Sequence, residues 1–337
     1  RDGAVPRGVV SEGDADLRAP GATLSEERRV FVVFNPASGR GRGARRIGAY
    51  RRLLEERFPR AEFRTTTRPG EERDLTDRAL EAGADVVVAV GGDGTWSNVA
   101  DRVVASGLSN VAFGMLPNGT GNDFGRSLGF DPSDVAEAVA VLAEGKSRLV
   151  DVGRLDTPSA SEHTPERVEP RHFLNLVGFG FDVAVLDAAA GARFLKGELL
   201  YKVTALQQLF RFPGVRFGLE SASGARRDAR HLMLTVSNGR YFGGGFPIAP
   251  DARADDGRLH ACRILDAPPL TRLRLFNLAE RGRHVTSDRV EVLADRSFRL
   301  TFDAPPRFEM DGDVRQASAA VLDVCVLPGA LRVIARA

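Results

Sequence analysis

Short apolar runs and amphipathic stretches alternate along the first half of the chain. Val30 to Phe34 is a continuous apolar run that stops at Asn35-Pro36, which is typical of a strand buried on both faces. The following residues 44–58 have apolar positions at helical spacing. The alternation continues with extended segments predicted at 63–66, 85–90 and 111–116 and helices at 75–82 and 97–105. This order predicts an open α/β layer with a parallel sheet.

After about residue 150 the pattern changes to short β-rich runs with few helical stretches between them. Strands are predicted at 173–177, 215–219, 231–236, 258–264, 289–293, 298–302 and 321–327. Such a series favours an antiparallel sandwich or barrel. One helix, between Arg193 and Phe212, is expected to interrupt it, and residues 157–170 are expected to form a polar loop.

The length of 337 residues fits about two domains. Residues 1–27 are polar without apolar periodicity and are predicted to be a disordered leader. An α/β nucleotide-binding domain is expected at 28–150 and an antiparallel β-sandwich that binds the second substrate at 151–337. The sequence leaves open that the last segment of the sandwich packs back against the α/β domain.

Composition excludes several classes of protein. With 43% hydrophobic and 27% charged residues, the chain is neither disordered throughout nor fibrous. The net charge of +2 does not indicate a nucleic-acid partner. Two cysteines are too few for a disulfide framework or a metal cluster, and no apolar run approaches the roughly 20 residues that span a bilayer. These features predict a cytoplasmic protein without a transmembrane segment.

A glycine-rich loop, Gly91-Gly92-Asp93-Gly94-Thr95, follows a predicted strand and precedes a helix. Ligands of open α/β sheets bind at this end of the strands, and glycines and the N–H groups of a helix start suit phosphates. Asp93 alone would repel a phosphate, so its presence favours a role in holding Mg²⁺. The alternative is a tight turn in which Asp93 caps the helix without any ligand.

Two more polar, glycine-rich loops follow strands of the same predicted sheet, at 35–43 and 117–124. Each could be an ordinary turn. Their position after buried strands predicts that all three converge on one edge and form a phosphate cradle. The cradle is not a P-loop, because Gly-x-x-x-x-Gly-Lys-Ser/Thr does not occur.

The ordered motifs resemble those of the diacylglycerol kinase catalytic domain of bacterial lipid kinases, of which sphingosine and ceramide kinases are relatives. The resemblance spans about residues 29–330 and rests on Asn-Pro-x-Ser-Gly at 35–39, the loop at 91–95, Pro-x-Gly-Thr-Gly-Asn-Asp-Phe at 117–124, and the runs at 173–182, 243–252, 255–257 and 311–313. It implies an N-terminal α/β domain like that of phosphofructokinases and NAD kinases, a C-terminal β-sandwich, and an active site between them.

The resemblance also implies roles for individual residues. Asp313 corresponds to the family's general base, which takes the proton of the lipid hydroxyl; the alternative is an Asp-Gly hairpin turn. A structural Mg²⁺ site would fall on Arg253, Asp256 and Arg258, with Asp256 as the carboxylate, or the segment is a solvated turn. The ATP and metal-bridging contacts would come from Asn35, Pro36, Ser38, Gly39, Thr66, Gly91, Gly92, Asp93, Gly94, Thr95, Ser97, Thr120, Asn122 and Asp123.

One departure from the family lies immediately after the glycine loop. Many members continue with an apolar residue and Asn-Glu, whereas this chain has Trp96, Ser97 and Asn98. The acid that helps to organise the loop near the acceptor is therefore missing, which puts the acceptor and the rate in question. Trp96 either packs in the core or lines a lipid entrance.

The leading functional hypothesis is an ATP- and Mg²⁺-dependent kinase that phosphorylates a lipid hydroxyl, with diacylglycerol as the first expected acceptor. Its partner would be lipid at the inner face of the membrane, reached peripherally, and a homodimer is left open. The alternatives are an NAD kinase, which shares the glycine loop, and a catalytically weak nucleotide- or lipid-binding homologue, which Ser97-Asn98 would explain.

Overall fold

The structure, a computed structural model, describes residues 28–41, 43–130, 134–157, 170–191 and 198–336. The predicted leader, most of the loop predicted at 157–170 and the start of the helix predicted from Arg193 lie outside these ranges.

The first part of the chain forms a parallel sheet with helices on both faces. Strands β1 and β3 are buried along their whole length, as their continuous apolar runs predict. The sheet order is β2-β1-β3-β4, with every pair parallel. The elements are β1 Val30–Phe34, α1 Gly43–Arg57, β2 Glu62–Thr65, α2 Glu71–Glu81, β3 Val86–Gly91, α3 Asp93–Ala105, β4 Ala112–Pro117, α4 Asp123–Ser127 and α5 Val135–Glu144.

The second part is an antiparallel sandwich, as predicted. One layer runs β14-β13-β7-β9-β10-β11, and the other runs β8-β12-β15-β5-β6, joined through the long strand β9. A core that includes Phe179, Phe217 and Phe298 fills the space between the layers. The elements are β5 Ser147–Asp156, β6 Arg171–Phe173, β7 Leu176–Gly180, α6 Phe181–Gly191, α7 Glu198–Arg211, β8 Val215–Ser221, β9 Arg226–Ser237, β10 Leu259–Leu265, α8 Pro269–Ala279, β11 Val290–Asp295, β12 Ser297–Phe302, β13 Arg307–Met310, β14 Asp313–Gln316 and β15 Val321–Ile334.

The expectation of one helix in this half is wrong. Three described helices, α6, α7 and α8, cover the outer face of the β7–β9–β10 layer, where Leu209, Met233 and Leu275 belong to one buried cluster. Helix α8 gives a weak sequence signal, because its segment Leu273-Arg274-Leu275 alternates like a strand.

Two long strands connect the α/β part and the sandwich. β15 pairs antiparallel with β5 along most of its length, and its last residues, 332–334, pair parallel with residues 112–114 of β4. The register shifts between Leu327 and Leu331. The end of the chain therefore completes the first sheet as well as the second.

Asp151 stabilises this irregularity. Its carboxylate is buried and accepts hydrogen bonds from the amides of Gly329 at 2.8 Å and Gly257 at 2.7 Å. Its backbone also pairs with Ala254 and with the side chain of Asn238. One carboxylate thus satisfies the amide of Gly329 in the bulge and that of Gly257 in the turn before β10.

We expect Asp151→Ala to lower the free energy of unfolding by about 2 kcal/mol, because two partly buried amides lose their acceptor. Urea denaturation measures this change. The control is Asp323→Ala, which removes a partly exposed ion pair with Arg299 and should cost about 0–1 kcal/mol. Equal losses in the two variants would contradict the role given to Asp151.

Candidate active site

The glycine loop closes the end of β3 and opens α3. The helix begins at Asp93, four residues before the predicted start at residue 97, and the amide of Trp96 donates to the carbonyl of Gly92 at 3.0 Å. A Cβ on Gly91 would lie 2.4 Å from the side chain of Thr95, so any larger residue there would force the turn open. The first turn of α3 consequently presents its free amides at the sheet edge.

The loops after β1, β3 and β4 meet through side-chain hydrogen bonds. Asn35 Nδ2 donates to Thr95 Oγ1 at 2.9 Å, which joins the first loop to the glycine loop. Asn118 Nδ2 donates to Ser38 Oγ at 2.9 Å, which joins the first loop to the third. The three polar loops of the sequence therefore form one connected edge.

Close backbone contacts at this edge require glycine. A Cβ on Gly119 would lie 2.5 Å from the Cα of Gly92. Gly39 has a φ of +60°, and a Cβ there would lie 2.8 Å from the carbonyl oxygen of Asn118. The loops therefore pack backbone against backbone, and a main-chain surface rich in glycine suits phosphate oxygens.

Asp93 and Asp123 face each other across Gly121. A Cβ on Gly121 would lie 2.9 Å from Asp93 Oδ2 and 3.4 Å from Asp123 Oδ2. Burial raises the pKa of Asp93 to about 7, with the Asp123 charge adding to it. Burial also raises the pKa of Asp123, against the opposing effect of Arg126. Asp93 Oδ2 accepts the Asn122 amide at 2.7 Å, whereas its Oδ1 is buried and has no partner among the described residues.

Asp123 also connects this edge to the sandwich. Its Oδ2 accepts the amide of Gly244 at 2.8 Å, and its Oδ1 accepts from Arg126 at 2.8 Å. One turn later, Ser127 Oγ accepts the amide of Arg240 at 3.0 Å. The α/β part and the sandwich are thus joined beside the glycine loops.

Asp313 begins β14 and lies opposite the glycine loop. A Cβ on Gly94 would lie 3.3 Å from its Oδ1. Burial raises the pKa of Asp313, and Arg315, whose guanidinium lies 3.5 Å from Oδ2, opposes the rise. The sequence motifs at 91–95 and 311–313 therefore meet in space, although they lie more than 200 residues apart.

Asp311 is the functional residue that motif reading missed. It has a φ of +47°, and its carboxylate accepts the amides of Leu174, Asn175 and Leu176 at 2.7–3.0 Å. Burial raises the pKa of Asp311, and hydrogen bonds from these amides and from the Ser97 side chain oppose that rise. The Asp-Gly pair indicated a turn, but no local signal pointed to amides 135 or more residues away.

Ser97 and Asn98, the residues at which the sequence departs from the family, both have hydrogen-bond partners. Ser97 contacts Asp311, and Asn98 Nδ2 donates to Glu72 Oε1 at 2.8 Å. Glu72 is buried on α2, so an acid does lie beside α3, from another helix. Trp96 is fully buried and packs against Gly125, as the core interpretation predicts.

The remaining predicted residues are less closely connected. The amide of Thr66 donates to the carbonyl of Phe34 at 2.9 Å, which holds the end of β2 beside β1, and Thr120 is exposed on the third loop. In the predicted metal segment, Asp256 accepts the amide of Arg258 at 2.9 Å and lies 3.3 Å from His260, while Arg253 pairs with Asp255. A role for this segment in metal binding stays a prediction.

The chain combines an α/β layer with a β-sandwich, and three glycine-rich loops of the layer meet beside the sandwich. Residues 29–155 match the family described as "Diacylglycerol kinase catalytic domain", and residues 175–335 match the "YegS C-terminal NAD kinase beta sandwich-like domain". The chain belongs to the diacylglycerol kinase catalytic-domain family.

Similar curated proteins agree with this family. The diacylglycerol kinase of Mycobacterium tuberculosis is 29% identical over 308 residues, 91% of this chain and 94% of that protein. A "Probable lipid kinase YegS-like" of Stenotrophomonas maltophilia is 29% identical over 280 residues, 80% of this chain and 85% of that protein. A crystal structure of a Bacillus anthracis diacylglycerol kinase shares the fold, with a TM-score of 0.66 and 18% identity over 92% of this chain and 97% of that chain. These relatives support a lipid kinase.

No helix in the described ranges is long and apolar enough to cross a bilayer.

We expect Asp311→Asn to lower the free energy of unfolding by about 2 kcal/mol or more, because an amide offers one acceptor oxygen where the carboxylate offers two. Thermal or urea unfolding measures the effect. Asp303→Asn, at an exposed position on the preceding turn, is the matched control and should be neutral. A stable Asp311→Asn protein with unchanged unfolding would refute the anchoring role.

Proposed function

We propose that this protein transfers the γ-phosphoryl group of ATP to the hydroxyl of a lipid, with diacylglycerol as acceptor and phosphatidic acid as product. The observation that carries the proposal is the position of Asp313, whose half-exposed carboxylate lies 3.3 Å from a Cβ built on Gly94. A base and a phosphate-binding loop on opposite walls of one cleft are what in-line phosphoryl transfer requires.

The α/β wall binds the nucleotide in this proposal. The free amides at the start of α3 and the glycine backbone around Gly92 and Gly119 contact the phosphates. Asn35 and Ser38 hold the first loop in place through Thr95 and Asn118. Thr66, Thr120 and Asn122 complete the set of nucleotide contacts.

The site also fits Mg²⁺. Asp93 Oδ1 is buried and unpartnered within the described ranges, and Asp93 and Asp123 both face Gly121. No cluster of three or more metal-binding side chains occurs in that part of the chain, and Mg²⁺ commonly needs only one or two carboxylates beside phosphates and water. When bound, the ion offsets phosphate charge. Asp93 and Asp123 would hold it, directly or through water.

Asp313 accepts the proton of the lipid hydroxyl as its oxygen attacks the γ-phosphorus, and ADP leaves on the opposite side. Because Asp313 is fixed at the start of β14 and Gly94 at the start of α3, the two walls must remain joined for transfer. The contact of Asp123 with Gly244 provides one such connection.

Radiolabelled ATP offered with diacylglycerol, monoacylglycerol, sphingosine and phosphatidylglycerol in mixed micelles tests the function. Phosphorylation of diacylglycerol is the expected result, and transfer to none of the lipids would refute a lipid kinase. NAD in a parallel reaction tests the NAD kinase alternative. Calorimetry that shows ATP binding without turnover would identify the catalytically weak homologue.

Asp313→Asn should lower kcat by roughly 10²–10⁴-fold, because the amide cannot accept the proton, while KM for ATP stays nearly unchanged. Steady-state kinetics with the preferred lipid measures both constants. Asp303→Asn is the matched control, since it makes the same change at an exposed turn. Full activity in Asp313→Asn would remove this residue from the role of base.

The pH dependence of the reaction rate tests the role of Asp313 as base independently. Burial raises the pKa of Asp313 and Arg315 lowers it, and only the ionised carboxylate accepts a proton. The rate should therefore rise with pH through a value above the ordinary pKa of Asp, about 3.9. Arg315→Gln should move this acid limb upward by about half a pH unit. Arg299→Gln, which removes a remote surface arginine paired with Asp323, should leave it in place. An unmoved limb in Arg315→Gln would contradict Asp313 as the titrating base.

A further inference from the structure

Behind the turn that carries Asp313 lies a second pair of buried acids, Asp182 and Glu309. Asp182 is 3% exposed at the start of α6, and Glu309 is 2% exposed on β13. Neither has a role in phosphate or nucleotide binding in the function proposed above. Both carboxylates are nearly inaccessible to solvent, and the proposed mechanism leaves them unused.

The two carboxylates share the space above Gly178. A Cβ on Gly178 would lie 1.9 Å from Asp182 Oδ2 and 3.1 Å from Glu309 Oε2. In the β7–β13 ladder, Gly178 stands directly opposite Glu309. The missing side chain at Gly178 therefore creates the room in which both acids fit.

Their oxygens are only partly satisfied. Glu309 Oε1 accepts the amide of Gly312 at 2.5 Å, but Oε2 has no hydrogen-bond partner, and neither oxygen of Asp182 has one at normal geometry within the described ranges. Two ionised carboxylates in this position would repel each other and lack solvation. One proton held between them would remove the repulsion and let one carboxyl group donate a hydrogen bond to the other.

The surrounding charges favour that proton. Burial raises the pKa of Glu309 well above its usual value, and Asp182, Asp311 and Asp313 raise it further. Burial raises the pKa of Asp182 to about 7. The cations on the packed elements have other partners: Arg307 on β13 pairs with Asp187 of α6, and Arg315 on β14 with Asp313. β7 and the segment of β9 paired with it, residues 233–237, carry no ionisable side chain.

We propose that Asp182 and Glu309 share one proton at neutral pH, and that this proton holds α6 against the β13–β14 turn on which Asp313 is placed. Glu309 connects the pair to the base through a single step, because Gly312, whose amide it accepts, immediately precedes Asp313. Asp182 and Glu309 are positioning residues. They act on the reaction through the turn and do not touch the substrate.

The sign of the pH effect follows from the raised pKa values. Between the unfolded and the folded pKa, the folded protein holds a proton that the unfolded chain has released. The free energy of unfolding therefore falls as the pH rises through this window, from about 4 to beyond 7. Ionisation of the pair at alkaline pH should loosen α6 from β13 and displace the turn.

Glu309→Gln and Asp182→Asn imitate the protonated pair. In Glu309→Gln, Oε1 can still accept from Gly312 while Nε2 donates to Asp182, so the fold should be kept. The matched control is Asp187→Asn, which removes a more exposed carboxylate of the same helix from its pair with Arg307 on the same strand.

Urea denaturation from pH 5.5 to 9 tests the shared proton without any substrate. The free energy of unfolding of the wild type should fall as the pH rises. In each amide variant this slope should be smaller by the contribution of about one proton released on unfolding, whereas Asp187→Asn should keep the wild-type slope. Infrared difference spectra in D₂O should show a protonated carboxylic acid band that disappears in both amide variants. Identical slopes and bands in wild type and Glu309→Gln would overturn the shared proton.

The effect on Asp313 rests on the proposed function and is tested by the pH dependence of kcat. The alkaline limb should move upward by about one pH unit in Glu309→Gln and Asp182→Asn and stay in place in Asp187→Asn, with KM for ATP unchanged. An unmoved limb would overturn the positioning role. Absence of kinase activity in the wild type would refute the proposed function instead, and the denaturation and infrared results would still decide the shared proton.

Discussion

The rest of the candidate site depends on the three hydrogen bonds that the Asp311 carboxylate accepts from backbone amides. They fix the β13–β14 turn on the segment 174–176, where β7 begins, and Ser97 adds a contact from α3. The carboxylate thus joins two parts of the sandwich to the helix of the glycine loop. Replacing this buried carboxyl group would leave several backbone donors without an acceptor, and these hydrogen bonds offset the strain of a φ of +47°.

Because Asp311 anchors the β13–β14 turn, Asp313 is held in position from both sides of that turn. Its turn is held by Asp311 on one side and, through Gly312, by Glu309 on the other. The glycine loop is held equally closely by Asn35 and by the packing of Gly92 against Gly119. In the proposed function, these two fixed walls hold the phosphates and the attacking oxygen in line before substrate arrives.

The α/β fold was predictable because parallel strands buried on both faces leave a strong pattern, as in Val86 to Val90. The three loops were also predictable, since each follows such a strand. Helix α8 was not, because its alternating leucines resemble a strand. The hydrogen bonds of Asp311 and the pairing of Asp182 with Glu309 depend on contacts more than 100 residues apart in sequence. No local periodicity encodes such contacts.

The acids of the cleft differ in how their charge is balanced, and this difference separates their roles. Asp311 accepts backbone amides and serves as an anchor. Asp93 and Asp123 oppose each other across a glycine, with one oxygen of Asp93 unpartnered, which suits a cation. Asp313 lies 3.5 Å from the Arg315 guanidinium and is half exposed, which leaves its carboxylate able to accept a proton, as the proposed function requires. Glu309 and Asp182 are nearly inaccessible to solvent and have no cation as partner among the described residues, so that a shared proton stabilises them in the inference drawn above.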